Sequence, residues 1–245
     1  MIGEARSKIV YYHLCMGGSK TPEIIAIANQ AVEDCEKSCG PFIALADDTL
    51  RSTYYRDYGC ALERRERLTG EDEHEKIIEV YEQALRCLIN DVTGDIAARK
   101  NAYYVLLSYY KKYVDRNVKY IKKDGKNIID IKETLKNIAD FSSDLTKTAK
   151  KMARISIIAM SDFPNISSMH AYYGFSCAYQ AVLELKNKNY ESTKKYIAEI
   201  EAIKADIELM GVNDLFCEQL GQWAVQLQKE CDTERAEDDG RAVPV

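Results

Sequence analysis

The stretch EHEKIIEVYEQALRCLI (residues 73–89) decides the class of the fold. Ile78, Val80, Tyr81, Leu85, Leu88 and Ile89 recur at steps of three and four, the period of an amphipathic α-helix. Glu71, Asp72 and Glu73 precede it, where the positive end of a helix dipole favours acids. Working outward, the same period continues with almost no strand punctuation. Proline is absent from Phe42 through Phe163, and hairpin dipeptides are nearly lacking; Asp124-Gly125 is an example, between polar runs.

Breakers cut the chain into about nine helices. The first runs over 4–16 to Gly17-Gly18, and the second from Thr21-Pro22 to about Gly40-Pro41. The third covers 43–68 before Thr69-Gly70, the fourth 72–92 and the fifth 95–119. After a polar loop around Asp124-Gly125, a long sixth helix spans 129–160; three more begin after Pro164, near Tyr190 and after Gly211. This pattern predicts an all-α, antiparallel single domain over 1–230. Residues 231–245, CDTERAEDDGRAVPV, form an acidic tail with few large apolar side chains, which predicts disorder.

Composition narrows the function. Of 245 residues, 46% are hydrophobic, so the chain can bury a substantial core. Lys+Arg number 34 against 39 Asp+Glu, a net charge of -5, which speaks against a nucleic-acid partner needing a basic surface. No run approaches the ~18 apolar residues that span a bilayer, so no membrane insertion is expected. The opening MIGEARSKIVYYHLCM lacks the form of a secretory signal. Eight cysteines lie without any CxxC pair, the pattern of thiols in a reducing compartment, and a cytoplasmic location is expected.

Catalytic patterns do not assemble. His13, His74 and His170 are far apart in sequence. Glu71 and His74 make one Glu-x-x-His step of a di-iron pattern, with no second copy. Asp47-Asp48 has Arg51 where a metal–diphosphate motif needs an acid, and Gly17-Gly18 is followed by no GK[ST]. A non-enzymatic protein without metal or cofactor is the expectation. The seventeen tyrosines, paired at 54–55, 103–104, 109–110 and 172–173, read first as amphipathic packing residues.

Four segments in order carry a further reading: TLRSTYYRDYGCALERRERL (49–68), KNAYYVLLSYYKKYVDR (100–116), PNISSMHAYYGFSCAYQAVLELKNKNYESTKKYIAEIEAI (164–203) and LFCEQLGQWAVQL (215–227). On about nine helices with an acidic tail, this order resembles the 14-3-3 family across most of residues 4–230. The fourth helix is about twenty residues shorter than that pattern, and 117–145 carries an insertion of about fifteen. The resemblance implies a dimeric adaptor that binds phosphoserine or phosphothreonine peptides in a concave groove. It implies homodimerisation through the first helix, which here offers Ile9, Val10, Tyr12 and Leu14.

Carried over residue by residue, the resemblance implies phosphate binding by Arg56, Lys112 and Tyr113, with Arg64 as a further candidate. Glu63 falls on an arginine slot and Arg67 on a structural arginine. Val105, Gly174, Ala181, Gln219 and Trp223 fall on groove-lining positions, with Gly174 and Trp223 in place of two asparagines that clamp peptide backbone. Helical geometry puts Arg56, Glu63 and Arg67 within about 20° of one face, with Arg64 about 80° around and Arg65 pointing away. A glutamate about 6 Å from a phosphate opposes it by roughly 3 kcal/mol per charge pair at an effective dielectric near 20. Weakened or altered phosphopeptide specificity is therefore expected. The alternative is a tetratricopeptide-like helical scaffold for unphosphorylated peptides, since 172–203 resembles one such helix pair without recurring at that period.

Overall fold

Helix ends in this chain follow local chemistry more closely than its glycine and proline signals. The computed structural model describes residues 2–89, 95–123, 125–137, 143–211, 215–238 and 240, with the backbone alone at 39–42, 123, 126, 143 and 144. Among them run ten helices: α1 (Ile2–Cys15), α2 (Pro22–Leu45), α3 (Asp48–Thr69), α4 (His74–Ile89), α5 (Ile96–Asp115), α6 (Ile131–Asn137), α7 (Ser143–Asp162), α8 (Ser167–Lys186), α9 (Tyr190–Leu209) and α10 (Leu215–Asp238). One antiparallel hairpin, β1 (Tyr120–Lys123) and β2 (Lys126–Ile129), interrupts them. The all-α expectation holds in its coarse form, and the described elements differ from the expected ones at four places.

First, α2 continues past Gly40-Pro41, where a break was expected. A proline removes one backbone hydrogen bond, and the turns on either side outweigh that loss. The chain breaks instead at Ala46-Asp47, because Asp47 Oδ1 accepts from Leu50 N at 2.8 Å and caps α3. At its other end α3 stops on Gly70, whose φ of +76° lets its N–H reach Glu66 O at 2.8 Å. Second, the expected polar loop at Asp124-Gly125 is a hairpin, in register Tyr120↔Ile129 through Lys123↔Lys126, with Gly125 at φ +77°. Asp130 N donates to Lys119 O, and Thr134 Oγ1 accepts from Lys119 N at 2.9 Å, which pins the base of the hairpin to α6.

Third, the single long helix expected over 129–160 is two described helices, α6 and α7, with 138–142 outside the described residues. Fourth, α10 runs on through Asp238, so 231–238 of the expected disordered tail is helical; the end of that tail, 241–245, lies outside the described residues. Cys231 is fully buried, and ion pairs Lys188–Asp238, Lys194–Asp232 and Arg235–Glu191 hold the acidic helix end against the start of α9. The acids that suggested disorder have basic partners on a neighbouring helix.

The chain divides into two compact units, Met1–Leu106 and Leu107–Val245, the division falling inside α5. In the first unit α1 packs on α2 and α3. Gly3 permits that approach, since a Cβ there would lie 2.9 Å from both Ala31 O and Cys35 Sγ. Val10, Ile24, Ala28 and Leu68 make a small core with Leu14 against it. On α4, Ile78, Val80, Tyr81, Leu85 and Leu88 of the expected face are buried together with Ile77 and Ala84, while Ile89 at the helix end is exposed. The second unit is built around α8, buried along most of its length and flanked by α7, α9 and α10. Its neighbour α9 turns a stripe of Thr193, Ile197, Ile200, Ile203 and Ile207 inward.

Candidate functional site

The sequence-selected residues fall in both units: Arg56, Glu63, Arg64, Arg67 and Val105 in the first, Lys112, Tyr113, Gly174, Ala181, Gln219 and Trp223 in the second. In the first unit, α3 presents a basic face whose members have partners. Arg56 donates through Nε and Nη2 to Asp57 Oδ1 at 3.2 and 3.1 Å, with its side chain 28% exposed. Burial holds the Asp57 carboxyl above its ordinary range, and the neighbouring Arg56 charge opposes that rise. Arg64 turns to the α1 seam, where it donates to Ser7 Oγ and lies 5.0 Å over the Tyr11 ring. Arg65 makes a two-bond fork to Glu73 at 2.6 and 2.8 Å, bracing α3 against the start of α4.

Glu63, on the arginine slot, accepts from the buried Tyr81 hydroxyl at 3.2 Å. Arg67 is exposed and Val105 half-buried. A phosphate approaching Arg56 therefore meets a guanidinium already held by a carboxylate, and Asp57 must give up that fork for the phosphate to take it.

In the second unit, Lys112 is exposed, and Tyr113 is half-buried with the Arg116 guanidinium 5.5 Å from its ring. Ala181 is fully buried and Gly174 is buried too, so neither offers a side chain to a groove. Leu220 rather than Trp223 covers Gly174, its Cδ2 2.8 Å from where a Cβ would stand. Trp223 packs edge-on against Tyr179, centroids 5.7 Å apart at 88°. The step from 220 to 223 on α10 rotates the indole off the glycine.

Gln219 and Trp223 do come together, in a cleft of about 540 Å³ between the end of α5, the hairpin and the start of α10. Lys111 and Asp115 line it from α5, Tyr120 and Asn127 from the hairpin, and Glu218 and Gln222 from α10. Asp115 is the hub: Tyr179 donates to its Oδ1 at 2.6 Å and Lys111 donates to its Oδ2. The Lys111 ammonium also sits 4.5 Å over the Phe175 ring. Burial and the Asp115 charge push the Tyr179 hydroxyl far above its ordinary value, so it stays a donor.

No family model, curated protein or solved structure matches the chain. Its function is therefore argued from its own residues. Among the described residues, no group of three or more His, Cys, Asp or Glu side chains could hold a metal ion. Two histidines serve backbone: His13 Nε2 meets Ser19 O at 2.8 Å and His170 Nε2 meets Pro164 O at 2.9 Å. No described helix is long and apolar enough to cross a membrane. The polar cleft residues missed from sequence are Lys111, Asp115, Tyr120, Asn127, Glu218 and Gln222. A signal existed in Asp124-Gly125, flanked by Tyr120-Ile121 and Ile128-Ile129, which is the pattern of a short hairpin.

Proposed function

We propose that the protein is a non-enzymatic, cytoplasmic adaptor for phosphoserine or phosphothreonine peptides, with a phosphate grip weaker than that of the 14-3-3 family it resembles. The reading rests on the ordered resemblance of four segments. The observation that gives it a physical form is the fork between Arg56 and Asp57. A dianionic phosphate is a stronger acceptor for that guanidinium than a single carboxylate, so exchange is favourable but costs the ion pair. In the first unit Glu63 withholds a positive charge, and Lys112, the residue the resemblance offers in the second unit, is exposed on α5.

A second reading, a helical scaffold for unphosphorylated peptides, draws support from Arg56 and Arg64 both having intramolecular partners. One titration separates the two: a phosphoserine peptide and its unphosphorylated twin against the full chain, with Arg56→Ala and Lys112→Ala. The adaptor reading expects the phosphate to tighten binding at least about tenfold and each variant to erase most of that gain. Equal affinity for the twins selects the scaffold.

A further inference from the structure

Asn127, Gln219 and Gln222 line the second unit's cleft, and among the described residues none of the three side chains has a hydrogen-bond partner. Each amide offers a donor and an acceptor, the same pair that a peptide group presents. Three such groups converge from two elements, the hairpin and α10, on one concavity. Its volume of about 540 Å³ lies within the range of roughly 300–1,000 Å³ that ligand sites occupy. Trp223, Ile129 and Leu215 supply apolar surface between the amides.

Charge decides what kind of chain would enter. Among the described lining residues two carboxylates, Asp115 and Glu218, face the cleft with one ammonium, Lys111. That ammonium is engaged twice already, by Asp115 and by the Phe175 ring. A carboxylate has about four acceptor sites, so Asp115 keeps capacity beyond its bonds to Lys111 and Tyr179. The cleft thus offers acceptors to a cation and little to an anion.

We propose that this cleft binds an extended, unphosphorylated peptide segment carrying lysine or arginine. Asn127, Gln219 and Gln222 pair with its backbone, and Asp115 and Glu218 receive the basic side chain. The hairpin, within the stretch that departs from the 14-3-3 pattern, forms one wall. The site shares Gln219 and Trp223 with the groove positions that the resemblance implies but uses none of the phosphate contacts Arg56, Lys112 and Tyr113, so binding here is tested apart from the phosphopeptide reading.

Trp223 is the chain's one tryptophan and lines this cleft, so its emission gives a single-site signal for binding there. The full chain is titrated with a pool of capped pentapeptides in which lysine alternates with neutral residues, and with the same pool carrying glutamate for lysine. The expected result is a saturable change with the lysine pool and at least about tenfold weaker response to the glutamate pool. The double variant Gln219→Ala/Gln222→Ala loses about tenfold or more for the lysine pool. Glu218→Lys shifts preference toward the glutamate pool. Glu218 is exposed and the two glutamines half-buried, so circular dichroism of the variants keeps the helical signal and loss of binding is not loss of fold. No saturable response to the lysine pool, equal response to both pools, or a double variant that binds normally overturns the proposal.

Discussion

The hydroxyl of Tyr81 donates to the carboxylate of Glu63 across the α3–α4 seam, 3.2 Å from oxygen to oxygen. Tyr81 is 1% exposed, and its hydroxyl also lies 3.5 Å from Cys60 Sγ. The acid on the arginine slot of the phosphate face is thus also a structural acceptor. Changing it tests two effects of opposite sign.

Glu63→Gln keeps an acceptor for Tyr81 and removes the charge. We expect thermal stability within a few degrees of the parent and tighter phosphopeptide binding. Glu63→Arg removes that carboxylate acceptor from the buried Tyr81 hydroxyl as well, a loss of roughly 1–3 kcal/mol. It should melt lower by several degrees whatever its affinity. Calorimetry alongside titration reads both; a Gln variant that destabilises as much as Arg removes the hydrogen-bond argument.

Gly174 cannot regain the asparagine that the 14-3-3 pattern carries there. A Cβ would stand 2.8 Å from Leu220 Cδ2 and 3.3 Å from Ile203 Cγ2. Gly174→Asn should cost roughly 1–3 kcal/mol for overpacking, with about as much again for a buried amide without partners. Gly174→Ala, which asks only a flexible leucine tip to move, should cost less. Denaturant midpoints of the two variants check the ranking.

Stability should fall in alkali before it falls in mild acid from these groups. Burial pushes the Cys35 thiol from its ordinary 9.0 up to about 11, and the Tyr58 hydroxyl from 10.0 up to about 12. Both are raised in the folded state, so the native chain holds protons that the unfolded chain releases. Their contribution is complete below about pH 9 and is lost as pH rises through about 11 and then about 12. Urea midpoints measured upward from pH 8 should hold level and then decline, and Cys35→Ser should delay the onset. A midpoint unchanged to pH 11 contradicts the assignment.

Homodimerisation through α1 belongs to the proposal, and of the four residues the resemblance offers there, Ile9 and Tyr12 are exposed. Val10 is buried and Leu14 packs within the first unit's own core. Ile2, Ile9, Tyr12 and Met16 are exposed at 70%, 53%, 61% and 80% and lie within about 80° of one another on α1. Sedimentation should show association at tens of micromolar, abolished by Ile9→Lys/Met16→Lys. A strict monomer in the parent chain refutes the homodimer.

Much of the fold was legible. The apolar period of 73–89 maps onto the buried face of α4, and the starts near Tyr190 and after Gly211 reappear as α9 and α10. Less legible were features where two signals compete. Gly40-Pro41 speaks for a break that the surrounding turns override, while Asp47, the cap that does start α3, reads in sequence as part of an acidic pair. The tail's charges suggest disorder only while their partners are unknown: Lys194 on α9 and Lys188 just before it pair with Asp232 and Asp238, and Glu191 on α9 with the tail's Arg235.

What the sequence determined by itself is what depends on neighbours within a few turns. Helical periodicity, the Gly70 stop and the turn at Gly125 all follow from local sterics and hydrogen bonding. Only the tertiary structure decided which side chains are engaged. Arg56 reads as a free cation until Asp57 is seen to hold it, and Arg64 until Ser7 and Tyr11 are. Three amides become a site only when the hairpin is folded beside α10. Charge and hydrogen-bonding capacity belong to a residue, but whether they are available to a ligand is set by contacts between elements distant in the chain.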